Sequence, residues 1–260
     1  MKFEAILFDC DGVLVDSEPI TNGVLRDMLN EAGWAITHEE CMDFFIGRTV
    51  RSATARIEAE TGRPLTDAWM DSFYARRNTE LTERLLAIEH IHPAIERVHA
   101  HHGGRIACAS GADRFKVEMQ LVKVGLMPFF EGRIFSGHEV PQTKPAPDVY
   151  LAAAAALQAD PTRCAVVEDS SIGVTAGVAA GATVFGYAPL GDGDALRAAA
   201  PRTSFAAWPN CPRCWAAERP PGPGPGVGTM RRDQGLVSGA GVVGTSCSSA
   251  ASICAAIARW

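Results

Sequence analysis

The sequence predicts an α/β fold in which a doubly wound parallel sheet carries an inserted helical segment. Three observations support this prediction: short apolar strands alternate with helices, an acidic turn ends the first strand, and the stretch after it has helical periodicity. Strands that alternate with helices form βαβ units, and such units build a parallel sheet. Because ligands of these sheets bind at the carboxyl edge, we expect the functional residues where the strands end.

The first predicted strand, residues 5–8, ends in the acidic turn Asp9-Cys10-Asp11-Gly12. Side chains alternate along a strand, so Asp9 and Asp11 would point the same way if the backbone stayed extended. Gly12 permits an immediate turn, which leaves both acids at the carboxyl edge. Two carboxylates this close repel each other unless a cation or a proton intervenes. The pair therefore indicates a Mg²⁺ site or an acid/base pair.

The next stretch has the pattern of a helical insert between the first two strands. Apolar side chains recur at helical spacing, as at Val24 and Met28, and charged residues fill the intervals. We therefore predict a core domain of residues 1–16 and 87–200, with a helical domain of residues 17–86 inserted in it.

Later strands place further polar groups at the same edge of the sheet. These strands are predicted at residues 105–109, 133–136, 164–167 and 183–186. Ser110 and Gly111 follow the first of them and offer a hydroxyl and a backbone N–H, which suit a phosphate oxygen or a helix N-cap. Glu168 and Asp169 follow the third and add oxygen ligands of the kind that a hard octahedral cation prefers.

A lysine framed by prolines, Lys144 of the segment Lys-Pro-Ala-Pro-Asp, completes the set. The prolines fix the loop and start the next helix, so the ammonium group is held on a rigid support. The acidic turn, Ser110-Gly111, the lysine segment and Glu168-Asp169 resemble, in this order, the four motifs of the haloacid dehalogenase-like (HAD) phosphohydrolases. The resemblance covers about the first 190 residues and implies a Rossmann-like core with a C1-type helical cap.

The resemblance also implies a role for each of these residues. Asp9 would be the nucleophile that forms an aspartyl-phosphate, and Asp11 the general acid/base. Lys144 would pair with the nucleophile and with the phosphoryl group, and Ser110 and Gly111 would bind phosphate. The implied Mg²⁺ ligands are Asp9, Asp11 through its backbone carbonyl, Glu168 and Asp169.

The helical insert resembles the cap of the β-phosphoglucomutase-like group, which reads the leaving part of the substrate. Substrate contacts are implied for a loop that follows Phe44 and for a later basic pair. The residues concerned are Gly47, Arg48, Arg51 and Arg77. The arginines would bind a second anionic group, a carboxylate or a phosphate. A solvated helix face is the alternative explanation for each arginine.

The implied activity is that of a Mg²⁺-dependent phosphatase, which hydrolyses a small phosphorylated sugar or sugar acid similar to 6-phosphogluconate or phosphoglycolate. The alternatives are a phosphosugar mutase of the same group and a catalytically idle binding protein of the same fold. Mutases carry a His shortly after the first motif, and residues 19–22 contain none. An idle protein would lack Asp9 or Lys144. Both comparisons favour the phosphatase.

The charge of the chain argues against nucleic acid as a partner. The formal net charge is −6, and it divides into −10 for residues 1–200 and +4 for residues 201–260. Nucleic-acid phosphates bind clustered Lys and Arg, which the acidic body lacks. The sequence contains no apolar run long enough for a membrane span and no apolar signal region. We therefore expect a cytoplasmic monomer that acts on a small phosphorylated metabolite.

The tail, residues 201–260, departs from the usual ending of the family. Regrouping the codons of residues 208–215 by one base allows Met-Ala-Glu-Leu-Pro-Ala-Leu-Leu, which resembles that ending. The rest of the tail is rich in Pro, Gly, Ser and Ala and has no sustained periodicity. We therefore predict a single-base frameshift near Trp208 and a disordered tail.

Overall fold

The structure, a computed structural model, describes residues 3–45, 48–187, 196, 198–199 and 214–215. Its strands are β1 (Ala5–Phe8), β2 (Ile106–Ser110), β3 (Ile134–Ser136), β4 (Cys164–Glu168), β5 (Thr183–Tyr187) and β6 (Cys214–Trp215). They form one sheet in the spatial order β3-β2-β1-β4-β5-β6. The first five strands are parallel, and β6 lies antiparallel to β5. The predicted α/β fold with a parallel sheet is confirmed.

The helices of the described residues fall into two groups along the chain. Between β1 and β2 lie α1 (Glu18–Ala32), α2 (His38–Phe45), α3 (Thr54–Thr61), α4 (Asp67–Arg84) and α5 (Ile91–His101). After β2 come α6 (Arg114–Lys123), α7 (Met127–Phe130), α8 (Asp148–Ala156) and α9 (Ser171–Ala179). The helices of the second group alternate with the strands, as in βαβ units.

Side chains of β1 alternate between the two faces of the sheet. Ile6 and Phe8 lie in one apolar cluster with residues of α5 and α6, whereas Ala5 and Leu7 lie in a second cluster with residues of α8 and α9. Because both faces are covered, β1, β2 and β4 are buried along their whole length. Their sequences are apolar except at the last residues of β2 and β4, Ser110 and Glu168. The central place of β1 puts the acidic turn in the middle of the carboxyl edge, where the strand order reverses.

Helices α1 to α4 share a third apolar cluster of their own. Its larger members are Leu25, Met28, Leu29, Trp34, Phe45, Ile57, Met70 and Phe73. The end of α4 meets α6 of the core, where the Thr82 hydroxyl donates to the Met119 sulfur at 3.2 Å and Lys123 Nζ donates to the Glu83 carbonyl oxygen at 3.2 Å. The end of the insert is therefore attached to the core along α6. The domain boundaries at residues 16–17 and 86–87 stay predictions.

Two further predictions are the absence of a membrane span and a disordered tail at residues 201–260. Among the residues that the structure describes, no helix is both long and apolar enough to cross a membrane. The tail lies outside the described residues except at β6, where Trp215 pairs with Gly186 and Cys214 with Tyr187. The predicted disorder and the frameshift near Trp208 therefore stay predictions.

Candidate active site

The acidic turn after β1 does not remain extended. The Asp9 N–H donates to the Val167 carbonyl oxygen at 3.0 Å, so Asp9 continues the ladder with β4 by one residue. The chain then turns at Gly12, which has a φ of 72° and donates its N–H to the Val15 carbonyl oxygen at 2.9 Å. The predicted turn at Gly12 is thus present, and the carboxylates of Asp9 and Asp11 have different partners.

Lys144 lies between two acids at the carboxyl edge. Its Nζ donates to Asp9 Oδ1 and to Glu168 Oε1, each at 2.7 Å, and lies 4.7 Å from the centre of the Tyr150 ring. The side chain is only 7% exposed. Burial acts against its charge, but the carboxylates of Asp9 and Glu168 outweigh burial and raise the pKa of Lys144 well above its ordinary value. The ammonium group therefore stays charged and is fixed beside Asp9.

Glu168 is fully buried, and both of its carboxylate oxygens accept hydrogen bonds. Oε1 accepts from Lys144 and from the Tyr150 hydroxyl, both at 2.7 Å. Oε2 accepts from the backbone N–H groups of Asp169 and Ser170 at 3.1 Å and from the Ser170 hydroxyl at 3.0 Å. These donors lie at the start of α9, where the helix dipole favours a negative charge. Glu168 is thus a fixed counterion for Lys144.

Three carboxylates converge beside Lys144. Oxygens of Asp9, Glu168 and Asp169 all lie within 4.8 Å of one another. Burial raises the pKa of Asp9 to about 7, although Lys144 acts to lower it. Burial and the neighbouring acids Glu168 and Asp9 raise the pKa of Asp169 well above its ordinary value. With all three acids ionised, the cluster would carry more negative charge than Lys144 neutralises, and the raised pKa values reflect this shortage of positive charge. The all-oxygen donor set fits a hard divalent cation, which would supply the missing charge.

The Asp169 carboxylate occupies the space that a side chain at Gly12 would need. We therefore expect Gly12→Ala to lower both stability and activity. A Cβ at Gly12 would overlap Asp169 Oδ2, whereas a Cβ at Gly62, which has a similar φ of 66°, meets nothing within 4 Å. Gly62→Ala therefore isolates the backbone strain, about 1 kcal/mol, and is expected to leave turnover unchanged.

Gly12→Ala would displace the Asp169 carboxylate, and we expect kcat/KM to fall at least about tenfold. We expect the free energy of unfolding to fall by about 1–2 kcal/mol more than it does in Gly62→Ala. Urea unfolding and steady-state kinetics measure the two quantities. If the two variants behave alike in both measurements, the Gly12–Asp169 contact does not matter.

The Asp11 carboxylate is held by side chains of α6 and by Ser17. Lys116 Nζ donates to both of its oxygens at 2.9 Å, Gln120 Nε2 donates to Oδ1 at 2.9 Å, and the Ser17 hydroxyl donates to the same oxygen. Burial acts to raise the pKa of Asp11, but Lys116 and the hydrogen bonds from Lys116, Ser17 and Gln120 lower it to about 2. The sequence motifs did not identify Lys116 or Gln120. The sequence feature that could have identified them is their spacing: they are polar residues four positions apart on the buried face of α6, which also carries Val117.

Ser110 and Gly111 lie where the loops after β2 and β3 meet the lysine segment. The buried Ser110 hydroxyl oxygen accepts from the Ala112 N–H at 3.1 Å, so its own proton is free to be donated elsewhere. The Thr143 hydroxyl, next to Lys144, would lie 3.9 Å from a Cβ added at Gly111. The Ser110 hydroxyl and the Gly111 backbone thus lie beside the segment that carries Lys144, and hydroxyl, N–H and ammonium groups are the donors that a phosphate prefers.

The haloacid dehalogenase-like hydrolase family matches residues 6–187 of this chain. The chain belongs to this family. The match spans every segment of the haloacid dehalogenase-like motifs described above, and it confirms both the resemblance and the enzyme class that the resemblance implies, a phosphoric monoester hydrolase.

Relatives of this haloacid dehalogenase-like chain include enzymes with named activities. The fructose-1-phosphate phosphatase of Escherichia coli K12 is 31% identical over 184 residues, which are 69% of this chain and 94% of the relative. The 6-phosphogluconate phosphatase of the same strain is 29% identical over 185 residues, with coverages of 71% and 82%. A crystal structure of a haloacid dehalogenase-like protein of unknown function from Agrobacterium tumefaciens is 33% identical, with a TM-score of 0.68 over 76% of this chain and 90% of that chain.

Two of the predicted substrate contacts of this haloacid dehalogenase-like chain lie on the surface of the insert, and a third lies outside the described residues. Gly47 is the residue outside them. Arg48 is exposed, with its guanidinium carbon 4.8 Å from the centre of the Phe44 ring. Arg51 is exposed and pairs with Asp67 at 2.7 Å. The guanidinium group of Arg51 is thus already paired within the insert, whereas the described residues show no ion pair for Arg48.

Arg77 is the predicted contact that the structure buries between the insert and the core. Its side chain is 9% exposed, its Nη2 lies 3.8 Å from Asp113 Oδ2 at the start of α6, and its guanidinium carbon is 4.9 Å from the centre of the Tyr74 ring. Burial lowers the pKa of Arg77, while Asp113 and Asp11 act to raise it. Its Nε and Nη2 also donate to the neutral Asn78 Oδ1, at 3.1 and 2.8 Å. Because the Asp113 carboxylate is 3.8 Å away, this buried cation keeps capacity for a further anion.

Proposed function

We propose that this chain is a Mg²⁺-dependent phosphatase that hydrolyses a small phosphorylated sugar or sugar acid through an aspartyl-phosphate. The observation that carries the proposal is the position of Lys144, which bridges Asp9 and Glu168 at 2.7 Å beside the Asp169 carboxylate. The named relatives support the substrate class, because they act on 6-phosphogluconate and on fructose 1-phosphate.

The proposed metal ligands are the carboxylates of Asp9 and Asp169 and the backbone carbonyl of Asp11. The excess of carboxylates over ammonium groups supports a divalent cation there. Glu168 was also predicted as a ligand, but both of its oxygens accept hydrogen bonds from the protein. We therefore propose that Glu168 positions the Lys144 ammonium group and does not bind the metal. A bound Mg²⁺ would supply positive charge that stabilises the phosphoryl oxygens during transfer.

In the proposed reaction, a carboxylate oxygen of Asp9 attacks phosphorus while the bond from phosphorus to the leaving oxygen breaks. Asp11 gives a proton to that oxygen, and then takes a proton from the water that cleaves the aspartyl-phosphate. Lys144 neutralises charge on the phosphoryl oxygens, which the Ser110 hydroxyl and the Gly111 N–H hold in place. Each of these groups lies at or beside the carboxyl edge described above.

We also propose that the helical insert, residues 17–86, acts as a cap that reads the leaving part of the substrate. Arg77 supports this role, because it is buried at the junction with α6 and its ion pair among the described residues, with Asp113, is 3.8 Å long. Arg48 is a second candidate, since it is exposed at the surface of the insert. These residues suit a substrate with an anionic group besides the phosphate, such as the carboxylate of a sugar acid.

A phosphate-release screen tests the proposed function. The full chain is incubated with 6-phosphogluconate, 2-phosphoglycolate, fructose 1-phosphate and β-glucose 1-phosphate, with Mg²⁺ or with a chelator. We expect Mg²⁺-dependent release of phosphate from one or more of these compounds, and recovery of activity when Mg²⁺ replaces the chelator. Isomerisation of β-glucose 1-phosphate without release of phosphate would identify a mutase. Absence of any turnover with Mg²⁺ present would contradict both enzymes and leave the idle binding protein.

A further inference from the structure

Two side chains of α6 hold the Asp11 carboxylate, and none of the sequence motifs accounts for them. Lys116 Nζ donates to Asp11 Oδ1 and to Oδ2, both at 2.9 Å, and Gln120 Nε2 donates to Oδ1 at the same distance. The Lys116 side chain is 9% exposed and Gln120 is fully buried. Both oxygens of Asp11 are therefore fixed from one helix.

Lys116 and Gln120 occupy positions that packing alone would fill with apolar residues. The other buried positions on this face of α6 are Val117 and Leu121, which belong to the core cluster. An ammonium group and an amide on such a face lose hydration and require partners inside the protein. Asp11 supplies that partner for Lys116, and Gln120 also accepts from the Cys10 thiol at 3.5 Å. The polar pair is thus explained by Asp11 and the residue before it, not by the stability of the core.

The hydrogen bonds constrain the direction of the carboxylate. Lys116 approaches both oxygens, while Gln120 and the Ser17 hydroxyl approach Oδ1, so rotation of the Asp11 side chain breaks several bonds together. Proton transfer is efficient only when donor and acceptor keep hydrogen-bond geometry. A general acid/base on a turn next to a glycine needs such support, because the turn itself does not fix the side chain.

We propose that Lys116 is a positioning residue, assisted by Gln120, which holds the Asp11 carboxylate in the direction required for proton exchange with the leaving oxygen. The inference rests on the proposed function. In the first step Asp11 takes a proton from solvent as the substrate binds and gives it to the leaving oxygen as the bond from phosphorus to that oxygen breaks. Asp11 then returns to the carboxylate form that Lys116 and Gln120 hold. Lys116 itself touches neither substrate nor phosphorus.

The test compares two leaving groups. A sugar alkoxide is a poor leaving group and requires the proton from Asp11, whereas p-nitrophenolate leaves without one. We expect Lys116→Met to lower kcat/KM about 10²-fold for the sugar phosphate found in the screen, and less than about threefold for p-nitrophenyl phosphate. We expect Lys116→Arg to recover most of the loss, because arginine donates to both oxygens of a carboxylate.

Two further variants distinguish a loss of proton transfer from a loss of folding. Gln120→Met removes only the neutral donor, and we expect the same selective loss at about three- to tenfold. Lys123→Met is the matched control on the same helix, since Lys123 donates to the Glu83 carbonyl oxygen and has no hydrogen bond to Asp11 in the described part of the chain. Both substrates are expected to react with this variant at the wild-type rate.

Equal losses for both leaving groups in Lys116→Met and Gln120→Met, or no loss in either, would overturn the inference while the proposed function stands. A wild-type chain that releases phosphate from neither compound would overturn the proposed function, and the inference with it.

Discussion

Asp9→Asn is expected to lower kcat for phosphate release at least about 10⁴-fold, which is the scale seen when a nucleophile is removed. The amide oxygen of asparagine is a poor nucleophile toward phosphorus, so the aspartyl-phosphate does not form. The fold should be preserved, because the amide oxygen still accepts from Lys144 and one of the clustered negative charges is removed. Steady-state phosphate release and thermal unfolding in a chelator measure the two effects.

Asp71→Asn is the matched control for this variant, because Asp71 is an exposed acid of α4. It is expected to retain the turnover and the unfolding midpoint of the wild-type protein. Asp9→Asn should unfold at the same temperature as the wild type or above it when metal is absent. Turnover by Asp9→Asn above a tenth of the wild-type rate would remove Asp9 from the role of nucleophile.

Lys144→Met is expected to combine a large loss of activity with a large loss of stability. The change leaves Asp9 and Glu168 buried without their shared cation, and breaking a buried pair in this way costs about 3 kcal/mol. Turnover should fall at least about 10³-fold, because charge on the phosphoryl oxygens is no longer neutralised. Denaturant unfolding gives the free energy of unfolding, and phosphate release gives the turnover.

Lys123→Met serves as the control here as well, since Lys123 is an exposed lysine of α6. Its free energy of unfolding is expected to change by less than about 0.5 kcal/mol. If Lys144→Met changes stability no more than Lys123→Met does, the ammonium group does not hold the two carboxylates together. Retained turnover in Lys144→Met would contradict its proposed contact with the phosphoryl group.

The sheet could be predicted from the sequence because its strands are buried on both faces. Continuous apolar runs such as residues 5–8 have few alternatives, and the prediction for β1 agrees with the structure at both ends. The prediction for β2 was one residue early at each end, since the strand is Ile106–Ser110. Strand ends depend on which backbone groups find partners in the neighbouring strand, and no local pattern encodes that pairing.

The residues that meet at the carboxyl edge were also predictable, because each follows a strand or is framed by prolines. The contacts of Asp11 were not. Lys116 and Gln120 lie 105 and 109 positions away from Asp11 in the chain, and their approach depends on how α6 packs beside β1. The same holds for the Tyr150 hydroxyl, which the sequence presents only as an aromatic residue of an alanine-rich helix. Sequence patterns identify groups at strand ends, whereas partners from helix faces require the fold.

Helix α6 has two attachments that lie one turn apart. Its N-cap residue Asp113 is 3.8 Å from Arg77 of the insert, and Lys116 binds Asp11. In the proposed reaction, substrate recognition and delivery of the proton therefore converge on a single rigid element. A substitution that displaces the start of α6 is therefore expected to weaken substrate recognition and proton delivery together.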